Sequence, residues 1–148
     1  MAGRPTDRPE IQVFDEIGNI EHLVRASITK HLPVGLTYPQ FEVLNYLIRG
    51  GERRTPARIA GDLQMTKGAI TNTLQRLGVR SLVTVEGDDV DRRKKYVTVA
   101  AEGLVAYNQA LESLRPRMGD LRDGFTDREF HDALPFLRAL RTWLEESF

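Results

Sequence analysis

The 148-residue sequence contains no cysteine. That one absence removes disulfides, thiolate zinc sites, cysteine nucleophiles and thiol-based redox sensing together. No apolar run approaches the roughly 18 residues a membrane-spanning helix needs. The opening MAGRPTDRPE also lacks the apolar core of a signal peptide, so a cytoplasmic protein with no membrane partner is expected. Net charge is missing too, because 21 Lys and Arg balance 21 Asp and Glu. Histidine is scarce. Of the three, His22 and His31 lie nine residues apart, on opposite faces of any helix that holds both. There is no H-x-x-x-H pair, no G-x-S-x-G elbow and no phosphate-binding loop. Catalytic residues, metal ligands and cofactors are therefore not expected, and neither is an enzyme.

What is present suits a single globular domain: 41% hydrophobic and 28% charged residues in a chain long enough to bury a core. The charge is unevenly spread. Residues 52–95 carry ten Lys and Arg against six Asp and Glu, a net +4 that leaves −4 elsewhere. A cationic segment inside a neutral chain is what a localised polyanion-binding face requires.

Apolar spacing predicts a helix over residues 10–32, with Ile11, Phe14, Ile17, Ile20, Val24 and Ile28 on one side and Pro33 as its stop. A second helix is expected from about Thr37 to Ile48, capped by Thr37 and ended by Gly50-Gly51. Thr55-Pro56 opens a short third helix with Ile59 and Leu63 on one face. Met65-Thr66 opens a fourth, reaching about Val79. The third and fourth are joined through Gln64-Met65 alone, so they must cross steeply, as in a helix-turn-helix.

On the fourth helix Ile70, Leu74 and Leu77 form the buried stripe. The other surface carries Lys67, Gly68, Ala69, Thr71, Asn72, Gln75 and Arg76, and no Asp or Glu occurs from Thr66 through Val85. Small residues at the helix start allow close approach to a groove. Asn, Gln and Arg can make paired hydrogen bonds to base edges. A solvated face with no partner is the plainer alternative, although such faces normally include carboxylates.

GDDVDRRKKYVTV, residues 87–99, follows. Leu82 to Val85 and Lys94 to Val99 read as two strands, with Val97 and Val99 on one face, Tyr96 and Thr98 on the other, and a tip from Gly87 to Arg93. A charged surface hairpin would look similar in isolation. Directly after a recognition helix it reads as a wing, whose arginines suit phosphates or a narrow minor groove. Asp91 is placed to pair with Arg93 and orient its guanidinium.

The stretch MTKGAITNTLQRLGVRSLVTVEGDDVDRRKKYVTVAAEG resembles the MarR family of winged helix-turn-helix regulators. The resemblance rests on the Thr-Lys-Gly helix start, the Leu74/Leu77 stripe, the Leu82-Val83 strand entry, the D-x-R of Asp91, Arg92 and Arg93, and Glu102-Gly103. It covers about residues 37–107. Val99-Ala100 stands where the family usually has Leu-Thr, and Val79-Arg80-Ser81 replaces a more usual charged residue and glycine; both departures are expected to fall outside the DNA surface. The implied fold is mainly α: a winged helix-turn-helix with a small β-hairpin wing and N- and C-terminal dimerisation helices. The implied organisation is one domain, with about residues 37–100 as the DNA-binding core and about 10–32 and 101–148 as the dimerisation helices. DNA contacts are expected from Thr55, Arg58, Thr66, Lys67, Gly68, Ala69, Thr71, Asn72, Gln75, Arg76, Asp91, Arg92, Arg93, Lys94 and Lys95. The expected function is sequence-specific transcriptional regulation on a palindromic double-stranded operator, as a repressor released by a small-molecule effector. The alternatives are a winged-helix protein-interaction module or an effector-independent DNA-binding protein.

The chain ends support a homodimer on their own residues. Residues 101–123 place Leu104, Tyr107, Leu111, Leu114, Met118 and Leu121 along one side, with Pro116 expected to bend the helix. Thr126-Asp127-Arg128-Glu129 is a capping box before a last helix bearing Phe130, Leu134, Leu137, Leu140, Trp143, Leu144 and Phe148. That is more apolar surface than one small core obviously needs. The family resemblance further implies an aromatic, anionic or acyl-thioester effector. His22, Arg25 and Thr29 form a polar strip on the first helix, Arg25 can hold a carboxylate, and Tyr38 or Phe41 can supply an aromatic wall. The plainer reading makes His22 and Arg25 ordinary surface or interface residues.

Overall fold

Hydroxyl caps and prolines start the helices where the sequence says they should. The computed structural model describes residues 7–91 and 93–147. Helices α1 (Pro9–His31), α2 (Tyr38–Gly50), α3 (Pro56–Asp62) and α4 (Lys67–Val79) precede strands β1 (Val83–Gly87) and β2 (Lys95–Val99), and α5 (Ala101–Gly124) and α6 (Asp127–Ser147) follow. Thr37 caps α2 in a reciprocal capping box with Gln40, and Gly51 closes it in the left-handed region at φ 66°. Thr55 and Thr66 cap α3 and α4, their hydroxyls accepting from the backbone N–H of Arg58 and Ala69.

The chain divides into two compact units, Met1–Ser113 and Leu114–Phe148. In the first, Val43 and Leu44 of α2, Ile59 of α3, Ile70 and Leu77 of α4 and Val97 of β2 are the largest fully buried side chains among the described residues. The expected Ile70/Leu74/Leu77 stripe is buried as a set. Phe41 stacks on Tyr107 of α5 with ring centroids 5.8 Å apart, and the Tyr107 hydroxyl donates to Asn45 Oδ1 at 2.7 Å. The second unit contains the Thr126–Glu129 capping box in full, with Glu129 N–H donating to Thr126 Oγ1 and Thr126 N–H to Glu129 Oε1. Phe148, expected on the last helix, lies outside the described residues. Among those described, no helix is long and apolar enough to cross a membrane.

The strands pair antiparallel, Val83 against Val99, Val85 against Val97 and Gly87 against Lys95. The first strand begins one residue later than expected. Leu82 N–H closes the end of α4 on Leu77 O, and Leu82 O accepts from Ala100 N–H, so its backbone belongs to the junction instead of the ladder. A feature the sequence did not advertise lies on the far side of β2: Arg54 and Val97 exchange both backbone hydrogen bonds, at 3.3 and 2.7 Å.

Ser81, in the turn after α4, sits at φ 59°. A left-handed conformation costs a non-glycine residue about 1–2 kcal/mol, partly offset by the chain entropy a glycine would lose. Ser81→Gly is therefore expected to raise the unfolding free energy by up to about 1 kcal/mol. A urea midpoint that stays level or falls would show that the serine is not strained there.

Candidate nucleic-acid interface

The turn between α3 and α4 is built from the backbone outward. Leu63 ends α3, Gln64 takes a left-handed φ of 56°, and Met65 N–H returns to Ala60 O at 2.9 Å. The expected helix-turn-helix is thus formed through Gln64-Met65. Its second helix, α4, buries one stripe and leaves Thr66, Lys67, Gly68, Ala69, Thr71, Asn72, Gln75 and Arg76 exposed. Thr71 hydroxyl donates to Lys67 O, and Arg76 Nε donates to Asn72 Oδ1 at 3.3 Å. Gln75 makes no side-chain hydrogen bond among the described residues. What α4 offers is a carboxylate-free exposed surface with the Asn72 and Gln75 amides near its middle and the Lys67 ammonium and Arg76 guanidinium at its two margins.

On α3, Arg58, an expected DNA contact, is paired within the chain. Its Nε donates to Asp62 Oδ2 at 3.0 Å, one turn along. The same carboxylate oxygen accepts from the Tyr46 hydroxyl of α2. Hydrogen bonds from Tyr46 and then Arg58 hold the Asp62 carboxyl below its usual range. Arg58 therefore has to share its guanidinium between Asp62 and any phosphate it meets. Thr55 remains exposed only in part, its hydroxyl committed to the helix cap.

At the wing, the acids fold the turn. Asp88 Oδ1 accepts from Val90 N–H at 3.1 Å and Asp91 Oδ1 from Arg93 N–H at 3.0 Å. Asp91 was expected to orient the Arg93 guanidinium. Its firmest bond is instead to the Arg93 backbone, with Arg93 Nε 3.9 Å from the same oxygen and the side chain 97% exposed. Lys94 and Lys95 are exposed, and Arg92 lies outside the described residues. The wing has a further cation that sequence reasoning missed: the Arg53 guanidinium carbon sits 4.1 Å above the Tyr96 ring. Its only sequence signal was the Arg53-Arg54 pair ahead of Thr55.

The residues expected to hold an effector come together only in part. Arg25 lies over the Tyr38 ring, 4.8 Å from its centroid, and is paired with Glu21 at 2.7 Å. Burial raises the carboxyl pKa of nearby Glu42 and the hydroxyl pKa of Tyr38. Thr29 hydroxyl donates to Arg25 O within α1, and His22 is exposed. Phe41, expected as an aromatic wall, is 7% exposed and stacked on Tyr107. A helical apolar position marks a core side chain and a pocket wall identically, and here packing claims the ring. Separately, Pro33, Val105, Asn108, Gln109 and Ser113 line a shallow cavity that includes none of these residues.

Residues 34–94 match the model of the MarR family. No curated protein sequence matches the chain. Among solved structures, the transcriptional regulator BldR from Sulfolobus solfataricus is 22% identical with a TM-score of 0.76, over 98% of this chain and 99% of that one. A mutant MarR from E. coli complexed with operator DNA is 21% identical with a TM-score of 0.74, over 93% and 99%. The PcaV transcriptional regulator from Streptomyces coelicolor, in complex with its natural ligand, is 17% identical with a TM-score of 0.69, over 96% and 98%. At these identities the likeness establishes the fold.

Proposed function

Since residues 34–94 match the MarR family model and the chain has the fold of solved MarR-type transcriptional regulators, we propose that this protein is a homodimeric, sequence-specific DNA-binding regulator. The observation that carries the reading is the carboxylate-free exposed face of α4, set by a helix-turn-helix and followed at once by a cationic wing. In this reading Asn72, Gln75 and Arg76 meet base edges, Lys67 to Ala69 allow close approach, and Arg93, Lys94 and Lys95 meet phosphates or the minor groove. Arg92 joins them on its sequence alone.

The dimer is supported by what α1 leaves uncovered. Its 23 residues include none that is buried within this chain, and Phe14, Ile17, Ile20, Leu23 and Val24 are all exposed, Leu23 to 70%. Surface of that kind on a long helix calls for a partner. Residues of about 10–32 and 101–148 would supply it, around a DNA-binding core of about 37–100 in a single MarR-like domain. A two-fold axis would set two copies of α4 one DNA turn apart, matching a palindrome. Repression, with release by a small anionic or aromatic effector near Arg25 and Tyr38, completes the proposal. Its support is the E. coli operator complex and the ligand-bound PcaV structure among proteins of this fold.

Footprinting on DNA flanking the protein's own gene, with light scattering on the same preparation, is the test. The expected result is a dimer that protects two inverted half-sites about 10 base pairs apart, centre to centre. Protection no stronger than on random DNA would remove the sequence-specific reading, and a monomer at micromolar concentration would remove the dimer.

A further inference from the structure

Beside α4 runs a shallow groove lined by Gly35, Gln40, Asn72, Gln75, Arg76 and Arg80, none of them acidic. Arg80 was expected to stand clear of the DNA surface; the structure puts it in the same groove as three residues of the proposed reading face. We propose that Arg80 seats a phosphate of the DNA backbone where α4 leaves the major groove. The proposal rests on the DNA-binding reading and adds to it a contact outside the expected set.

Three observations carry it. Arg80 is exposed yet held in place: its Nη1 donates to Gly35 O at 2.6 Å, across 45 residues of sequence. Gly35 can turn that carbonyl toward Arg80 because it occupies φ 89°, a conformation side chains rarely adopt. A guanidinium has five N–H donors in a planar fork, so four remain for an incoming anion, and the arm that carries them is already ordered. Second, Arg80 follows Arg76 by one helical turn, and among the described residues neither is paired with a carboxylate. Two unneutralised guanidiniums sharing one groove attract a single negatively charged group more than either does alone. Third, the spacing fits. Asn72 and Arg80 are eight residues apart, about 12 Å along a helix axis, and a major groove is about 12 Å wide. From Asn72 over the bases in mid-groove a bordering strand is only about 6 Å away, so Arg80 reaches beyond the base edges, where the available chemistry is phosphate.

The test compares Arg80→Gln and Arg80→Lys with the unaltered protein, by fluorescence anisotropy on the footprinted duplex and a random one across several salt concentrations. Circular dichroism checks that both variants are folded. Arg80→Gln should weaken binding similarly on both duplexes and make the slope of log K against log salt shallower by about one unit per bound protomer. Arg80→Lys keeps the charge and should keep the slope. An unchanged slope in Arg80→Gln overturns the proposal. Equal losses in both variants at unchanged slope overturn it too, because Arg80 would then only brace the Gly35 carbonyl. If the unaltered protein binds no duplex at all, the DNA reading itself fails and takes this contact with it.

Discussion

Gly103→Ala is expected to lower the unfolding free energy by about 3 kcal/mol or more, a large effect for one added methyl group. An ideal Cβ at Gly103 would lie 2.0 Å from Leu82 O and 3.0 Å from both Leu82 C and Val99 Cγ1. The first contact is with backbone, and that carbonyl already accepts from Ala100 N–H at 3.0 Å. It cannot swing aside without opening the junction where α4, β1, β2 and α5 meet. Helix propensity acts the other way, since alanine gains about 1 kcal/mol over glycine inside a helix. A displacement of more than 1 Å in a packed junction outweighs it. Urea unfolding at matched protein concentration is the measurement; a variant as stable as the parent would mean that α5 does not press on Leu82 at all.

Replacing Asn72 and Gln75 together by alanine should abolish most of the preference for cognate over random DNA. Each amide that reads a base edge bidentately contributes about 1–3 kcal/mol of discrimination, so the pair, at about 2–6 kcal/mol together, corresponds to a loss of roughly 30- to 20,000-fold on the cognate site. Random DNA should lose little, because its binding runs on phosphates. The two single variants should differ. Gln75 has an unengaged amide among the described residues, whereas Asn72 Oδ1 already accepts from Arg76 Nε at 3.3 Å. Asn72 must trade one bond for another, and Gln75→Ala should cost more. Anisotropy titrations on both duplexes decide it. Equal weakening on the two DNAs would mean that neither side chain reads bases, and the reading face would have to move along α4.

Much of the fold was legible because local chemistry announces it. Thr37, Thr55 and Thr126 each cap the helix they were expected to cap, Thr66 caps the helix that Met65-Thr66 was expected to open, and Gly51 ends α2 through a left-handed turn that glycine adopts freely. The Ile70/Leu74/Leu77 stripe follows from 3.6-residue periodicity, which sequence shows directly. Contacts between residues far apart in sequence left no such mark. The Arg54–Val97 exchange spans one residue on one side, too short for a period-2 pattern. Arg80 reaches Gly35 across 45 residues, and nothing near either one signals the other. Phe41 shows the converse limit, since its helical spacing fitted a pocket wall as well as a core position, and only the Tyr107 ring settles which.

Val97 stands opposite Val85 in the ladder register, exchanges both of its backbone hydrogen bonds with Arg54 on the other side, and has a fully buried side chain. Among the described residues of the tip between Gly87 and Lys95, the hydrogen bonds are the turn's own, Asp88 N–H to Lys94 O and Lys94 N–H to Asp91 O among them. In mechanical terms the wing is a cantilever, clamped at its foot and free at its end. The clamp falls on Arg54, the residue immediately before the Thr55 cap of α3, so the foot of the wing and the start of the helix-turn-helix share one backbone anchor that does not involve α4.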